Sequence, residues 1–331
     1  MRILITGGCG FIGHHILSYF LQKTDSEFIV LDQLNYASNG YDRLRYIGAY
    51  NNPRVTILSA DFSYPLSKGV EREIGNIDYI FHVGAESHVE NSIKDPITFI
   101  RSNVEGTAHI LNLARKLQLK CFFYFSTDEV YGPAPEGVAY TESDPHNPQN
   151  PYAATKSAGE MLVRAYRNTY KTPAIITRSM NVFGERQHPE KFIPKIIKQI
   201  LAGETVAIHS YPNSSYPGSR FYIHTTDIAD AHLFLISKIE SRQNIINEDF
   251  NISGEYESNN LEMANRIADI LGQKLKYKIV SSPKERPGYD VRYAIDGSKF
   301  KKLGWSSSDK FNVYLEDTVK WTASHPEWLI K

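Results

Sequence analysis

The run Thr6-Gly7-Gly8-Cys9-Gly10-Phe11-Ile12-Gly13 decides the fold. It sits between an apolar stretch with strand character, Ile3–Ile5, and a segment of helical periodicity, Ile12–Leu21. Gly8, Gly10 and Gly13 fit G-x-G-x-x-G, and Gly7, Gly10 and Gly13 fit the wider G-x-x-G-x-x-G. Glycines let a backbone turn tightly and approach a pyrophosphate, whose charge meets the free N–H groups of a helix start. Glycine-rich turns are common, so the context carries the weight: a strand before, a helix after, and Asp32 closing the next strand. Asp32 stands where an acid holds adenosine ribose hydroxyls. The same carboxylate repels a 2′-phosphate, and no arginine follows it until Arg43. The pattern predicts NAD rather than NADP. The expected cofactor set is Gly7, Gly10, Phe11, Ile12, Gly13, Asp32 and Asp61, joined by Tyr152 and Lys156 below.

Outward from this loop, short apolar runs alternate with helical stretches. Ile3–Ile5, Phe28–Leu31, Val55–Leu58, Tyr79–Val83, Cys121–Phe125 and Ala174–Thr177 read as strands; Ile12–Leu21, Ile97–Leu117 and Tyr152–Tyr170 read as helices. Such alternation predicts an α/β fold, a Rossmann-type doubly wound parallel sheet covered on both faces. After about Phe183 the texture changes, and Pro, Gly, Ser and Asn gather in a loop over Tyr211–Ser219. Ile228–Ser237 and Phe250–Ile252 read as a return to the sheet. Leu261–Leu271 and Tyr314–Ser324 read as part of a smaller C-terminal α/β unit. The expected division is 1–183 plus 221–252 for the dinucleotide and 184–220 plus 253–331 for a substrate.

Composition narrows the partners. Across 331 residues, 37 basic groups cancel 37 acidic ones, which argues against nucleic acid and membrane surfaces. Only Cys9 and Cys121 are present, so neither a disulfide framework nor a Cys/His zinc cluster is expected, and no metal is. A strand starts at Arg2 with no apolar leader, and no apolar run reaches a membrane span; a soluble cytoplasmic protein is the expectation.

The chemistry sits further on. Ser126-Thr127-Asp128-Glu129-Val130-Tyr131-Gly132 places a hydroxyl and two carboxyls at a strand end. Tyr152-Ala153-Ala154-Thr155-Lys156 places a phenol and an ammonium four residues apart on one helix face, a helix that Asn150 can cap and Pro151 can start. A phenol with a pKa of about 10 needs a nearby cation to act as a base near neutrality, and Lys156 is placed to supply it. Tyr/Lys pairs serve nicotinamide enzymes that oxidise alcohols. Two carboxyls beside one are more than oxidation needs.

These motifs together resemble the nucleotide-sugar branch of the extended short-chain dehydrogenase/reductases, and most closely the dTDP- or UDP-glucose 4,6-dehydratases. The resemblance covers nearly the whole chain. Besides the loop and the Tyr/Lys pair it includes Asp32-Gln33-Leu34-Asn35-Tyr36-Ala37, Ala85-Glu86-Ser87-His88-Val89, Ser126–Gly132, His188-Pro189-Glu190-Lys191-Phe192-Ile193-Pro194 and Arg286-Pro287-Gly288-Tyr289-Asp290-Val291-Arg292-Tyr293-Ala294-Ile295-Asp296. It implies that Tyr152 takes the C4 hydroxyl proton while NAD accepts hydride, with Thr127 bonding the same oxygen. Glu129 is then the base at C5 and Asp128 the acid at the departing C6 hydroxyl, giving a 4-keto-6-deoxy sugar. A carboxyl that donates a proton at neutral pH needs a raised pKa, which burial beside another acid supplies.

By the same resemblance Ser87 and Asn181 contact the sugar or its phosphate, and Lys191 and Phe192 border the base. Arg220 and Arg286 neutralise the diphosphate, and Asn260 contacts the nucleoside diphosphate. Tyr289 stands where relatives often carry histidine, and Met180 and Val182 flank Asn181 where relatives carry small or polar residues. These departures leave the base, uracil or thymine, and the C2 substituent open. The helix pair Ile97–Leu117 and Tyr152–Tyr170 implies a two-fold homodimer. The competing readings are a nucleotide-sugar 4-epimerase, which needs no acid at C6, and a non-catalytic Rossmann binding protein.

Overall fold

Every strand of the main sheet runs the same way, and each side of that sheet is closed by helices. The computed structural model describes residues 1–211, 214–281 and 292–330. In chain order the first half runs β1 (Arg2–Thr6), α1 (Phe11–Lys23), β2 (Glu27–Asp32), α2 (Asp42–Tyr46), β3 (Val55–Ser59), α3 (Lys68–Ile74), β4 (Tyr79–His82), α4 (Val89–Lys94), α5 (Pro96–Ile100), α6 (Gly106–Lys116), β5 (Cys121–Thr127), α7 (Pro151–Tyr170) and β6 (Ala174–Ser179). The parallel sheet has the order β10-β6-β5-β4-β1-β2-β3, where β10 (Asp249–Ile252) returns from the second half as expected. Alternate residues of one strand feed opposite cores: Ile3 and Ile5 pack with Phe20, Phe81 and Phe123, while Leu4 packs with Ile80, Phe122 and Ile110. That two-sided burial is why these strands read as continuous apolar runs.

The order reverses between β1 and β4, so their carboxyl ends open a crevice, the usual place for a ligand in such a sheet. β5 ends beside them. It runs two residues beyond the predicted Phe125, and Ser126 and Thr127 are strand residues. A single 3-10 turn, Asp128–Tyr131, follows, so both acids leave the sheet at its catalytic edge.

The predicted helix Ile97–Leu117 is not one α-helix. A π-type turn, Arg101–Glu105, separates α5 from α6. The wider turn is held by the buried Asn103, whose side chain bridges Glu86 N, Glu86 O and Thr155 Oγ1 at 2.8, 2.9 and 3.0 Å. Helix α7 starts as its sequence indicates, with Asn150 accepting from Ala153 N at 2.9 Å and Pro151 in the first turn.

The second half runs β7 (Asn181–Phe183), α8 (Phe192–Leu201), β8 (Val206–Ser210), β9 (Ser219–His224), α9 (Thr225–Glu240), β10, β11 (Tyr256–Asn259), α10 (Asn260–Ile270), β12 (Tyr277–Ser281), β13 (Arg292–Tyr293), α11 (Ser298–Leu303) and α12 (Phe311–Ser324). β11, β9 and β13 form a small sheet to which β7 adds, and β8 pairs with β12. The expected division at Phe183 and before Phe221 therefore shifts. β6 already has β5 and β10 on its two edges, so β7 pairs with β9 and both belong to the smaller lobe. That lobe has its own core around Phe183, Ile196, Ile197, Met263, Ile267, Leu315 and Val319.

Candidate active site

One continuous cleft runs from the glycine loop to the smaller lobe, lined at one end by Gly7, Gly10, Phe11, Ile12, Gly13 and Asp32. The loop is glycine-bound for steric reasons. Gly7 has φ +70, and a Cβ on Gly13 would lie 2.2 Å from the Gly7 carbonyl oxygen. Helix α1 begins at this cleft with no side-chain cap and no acid in its first turn. Its free N–H groups and positive end suit a diphosphate. Asp32 is buried at the end of β2, where Cys9 N donates to Oδ2 at 2.9 Å and Leu34 N and Ser38 Oγ donate to Oδ1 at 2.8 Å. The uncapped helix, the backbone-tight loop and the fixed acid fit a dinucleotide. Asp61 does not join them. It is exposed and turns back on its own loop to accept from Ser63 N at 2.8 Å, while its neighbour Phe62 lines the cleft.

Further along, Thr127, Asp128, Glu129, Tyr152 and Lys156 share the cleft wall. The Asp128 carboxyl is pushed up to about 7, mainly by burial and next by the charge of Glu129. Its Oδ1 accepts from Thr127 Oγ1 at 3.1 Å, and its buried Oδ2 has no hydrogen-bond partner among the described residues. Glu129 is held differently: its Oε2 accepts from Asn150 Nδ2 at 3.0 Å and lies 3.4 Å from the Tyr293 hydroxyl. Asn150 thus caps α7 and anchors a carboxylate with the same side chain. Two adjacent acids are driven apart in character, one dry and proton-holding, the other hydrogen-bonded.

Burial raises the Tyr152 phenol, Glu129 and Asp128 raise it further, and a hydrogen bond from Thr127 opposes them. Lys156 is itself buried, its pKa lowered to about 7 by desolvation against a partial restoring effect of Glu160, and its Nζ rests 4.4 Å from the centre of the Tyr124 ring. Behind it, Glu160 is paired with the fully buried Arg178. Sequence reasoning gave that pair no role, and it is visible only once β6 lies against α7.

The smaller lobe closes the other end. Lys191 Nζ donates to Ser87 O at 2.9 Å, tying the segment before α8 to the loop after β4, and burial lowers its pKa. Asn181 Nδ2 donates to Phe221 O at 3.2 Å. Arg220 lies 4.9 Å from the centre of the Tyr293 ring, and Phe192 and Asn260 complete this wall. Met180 is buried with its sulfur 3.3 Å from Gly254 N, a contact that fixes it beside Asn181. Arg286 and Tyr289 lie outside the described residues. Tyr293, unassigned from sequence alone, faces Glu129 because β13 pairs with β9; its place inside the Arg286–Tyr293 motif was the available signal.

Comparison with known proteins agrees with this geometry. Residues 3–253 match the model of the NAD dependent epimerase/dehydratase family. The chain is 36% identical over 319 residues to the low-salt glycan biosynthesis protein Agl12 of Haloferax volcanii, covering 96% of this chain and 97% of that one. It is 34% identical to a dTDP-glucose 4,6-dehydratase of Escherichia coli, covering 99% and 95%. Among solved structures, DesIV of Streptomyces venezuelae, a dTDP-glucose 4,6-dehydratase crystallised with NAD bound, superposes with a TM-score of 0.89 at 33% identity, covering 100% and 99%. NAD is the cofactor of this family, and the match spans the glycine loop, Asp32 and the Tyr152–Lys156 helix. By full-length similarity, fold and the acid pair beside its tyrosine, the chain belongs to the NAD dependent epimerase/dehydratase family, in the branch of the nucleotide-sugar 4,6-dehydratases.

Proposed function

We propose that the protein converts a pyrimidine NDP-hexose of the glucose type to the NDP-4-keto-6-deoxyhexose, with the smaller lobe holding the nucleotide. The observation that carries this reading is the pair Asp128 and Glu129, split into a proton-holding acid and a hydrogen-bonded carboxylate beside Tyr152. NAD, held by the Gly7–Asp32 end of the cleft, would supply the redox chemistry, accepting hydride from C4 and giving it back at C6. Tyr152 removes the C4 hydroxyl proton, its phenol bonded by Thr127. Lys156, whose proton is easily lost in the dry site, acts where the nicotinamide ribose would lie. The C4 ketone acidifies C5–H, which Glu129 removes, and Asp128 gives its proton from the unpartnered Oδ2 side to the departing C6 hydroxyl. Glu129 returns its proton to C5 as C6 is reduced, and the proton taken by Tyr152 makes good the one given by Asp128, so the atoms balance as one water lost. An epimerase would use Tyr152 and Lys156 alike but has no task for a protonated Asp128.

Arg220, Asn260, Lys191 and Phe192 are the groups we assign to the nucleotide. A guanidinium against an aromatic face and an amide at a helix start suit a diphosphate. Buried Met180 is a soft, adaptable wall beside the sugar, compatible with a 2-acetamido group as well as a hydroxyl. Incubation with UDP-glucose, dTDP-glucose and UDP-N-acetylglucosamine, read by mass spectrometry, tests the reading. Loss of one water is expected. An isobaric epimer without water loss would replace it with the epimerase reading.

A further inference from the structure

Helix α12 belongs to the smaller lobe, and the 3-10 turn after it, Pro326–Leu329, is anchored there through Leu329. Yet its aromatic side chains reach α2 on the cofactor side. Trp321 Nε1 donates to the Tyr46 hydroxyl at 2.8 Å, and the indole stacks on His325 with centres 4.2 Å apart. The Tyr46 ring meets Trp321 at 5.4 Å and Trp328 at 6.4 Å.

This box holds two guanidinium groups. Arg186 lies 4.7 Å from the Tyr46 ring centre and 5.1 Å from that of Trp321, and Arg43 lies 5.6 Å from that of Trp328. Both arginines are buried, and among the described residues neither makes a carboxylate salt bridge. Their partners are neutral. Arg43 donates to the carbonyls of Cys9, Ala37, Ser38 and Arg186. Arg186 Nε donates to His14 Nε2 at 2.9 Å. A buried cation with no directly paired carboxylate is expensive; here aromatic faces and carbonyls hold it, with the charges of Asp32 on Arg43 and of Glu185 on Arg186 acting at longer range. Arg186 also has φ +63, a conformation side chains rarely adopt, and its seat in the box holds it there.

Each contact leads to the cofactor loop. Cys9 and Ser38, gripped by Arg43 through their carbonyls, are the residues that bond Asp32 with N–H and hydroxyl. His14 receives the Arg186 hydrogen bond on Nε2, so its Nδ1–H donates to Gly10 O, the carbonyl at the start of α1, at 2.8 Å. His15 Nε2–H donates to Glu185 O at 2.9 Å, tying the same helix start to the segment carrying Arg186.

We propose that Trp321 and Trp328 are positioning residues for the cofactor. Through Arg43 and Arg186 they hold the Cys9–Asp32–Ser38 and Gly10–His14 contacts that shape the adenosine and diphosphate ends of the cleft. NAD retention thereby depends on how the C-terminal turn of the smaller lobe is seated. The inference rests on NAD occupying the Gly7–Asp32 end of the cleft.

The test uses full-length protein stripped of cofactor, with calorimetric affinities for NAD and, separately, for dTDP and UDP as probes of the smaller lobe. Trp328→Ala is expected to weaken NAD by about tenfold or more, with nucleoside diphosphate affinity kept within about twofold. Trp328→Phe, which retains a flat face, should restore most of the NAD affinity. Arg43→Lys keeps the charge but has one nitrogen where Arg43 uses two, Nη1 for the Cys9, Ala37 and Ser38 carbonyls and Nε for Arg186 O, and should also weaken NAD by about tenfold; if Trp328→Ala does not fold, this variant decides. Unchanged NAD affinity in the variants would overturn the proposal, as would a parallel loss of NAD and nucleoside diphosphate, which marks general loosening. A parent protein that binds nucleoside diphosphate but no NAD would overturn the underlying cofactor assignment as well.

Discussion

At the scale of single residues, Asp128 is the group whose protonation matters most. Its pKa is raised from 3.8 to about 7, so the folded protein keeps a proton that the unfolded chain releases between those values. The sign follows from linkage. The stability this group contributes is fully present below about pH 4 and is lost as pH rises through about 7. Asp128→Asn should therefore be more stable than the parent at pH 8, by up to about 4 kcal/mol, and match it near pH 3.5. Thermal melts at the two pH values check this; an equal difference at both would contradict a protonated Asp128. Activity has the same sign, since elimination needs the proton, and the parent's dehydration rate should fall as pH climbs past about 7. The other roles separate by isotope. Tyr152→Phe should stop C4 oxidation with NAD still bound, and Glu129→Gln should slow exchange of the C5 hydrogen with deuterated solvent by about 10²–10⁴. Exchange at the parent's rate in Glu129→Gln would take the base assignment away from it.

At the scale of elements, the site is made by three strand ends and one helix. β1, β4 and β5 deliver the glycine loop, the Gly84–His88 loop and the acid pair to one edge because they are neighbours in a parallel sheet. α7 delivers Tyr152 and Lys156 on successive turns. The tightest joint is the packing of α1 on the glycine loop, where a Cβ on Gly13 would meet both Gly7 O and Gly8 Cα below 3 Å. Both are backbone atoms and cannot rotate aside, so Gly13→Ala must push the helix start off the loop. Purified Gly13→Ala is expected to carry no NAD and to bind added NAD at least about tenfold more weakly. Calorimetry checks this, and parent-like affinity would mean that the loop tolerates the displacement. The π turn between α5 and α6 belongs to this scale too. It was illegible in the sequence because Asn103 acquires its three partners only from the Glu86 loop and α7.

At the scale of the whole molecule, one face is left uncovered. Ile97 and Ile100 on α5 and Met161 on α7 are 41 to 52% exposed on neighbouring helices, a concentration of apolar surface outside the cleft lining. We expect a second copy of the chain to cover it in a two-fold pair. Light scattering at micromolar concentration should give twice the chain mass, and Ile97→Asp should reduce it to one chain. A parent protein that scatters as a single chain would remove the dimer.

The parallel sheet, the cofactor loop and the candidates for the reacting groups are legible in the sequence alone. Each of these is written locally: apolar runs at strand length, glycines at turn spacing, a phenol and an ammonium one helical turn apart. Tertiary structure decided what those groups can do. Asp128 and Glu129 are chemically similar neighbours in the chain. Burial raises the Asp128 carboxyl, whereas the Glu129 carboxyl is held by hydrogen bonds from Asn150 and Tyr293. The same holds for Lys156, whose easily lost proton comes from desolvation over Tyr124, and for β7, which joins the smaller lobe because β6 has no free edge. Burial and pairing depend on residues far apart in sequence, and no local pattern encodes them.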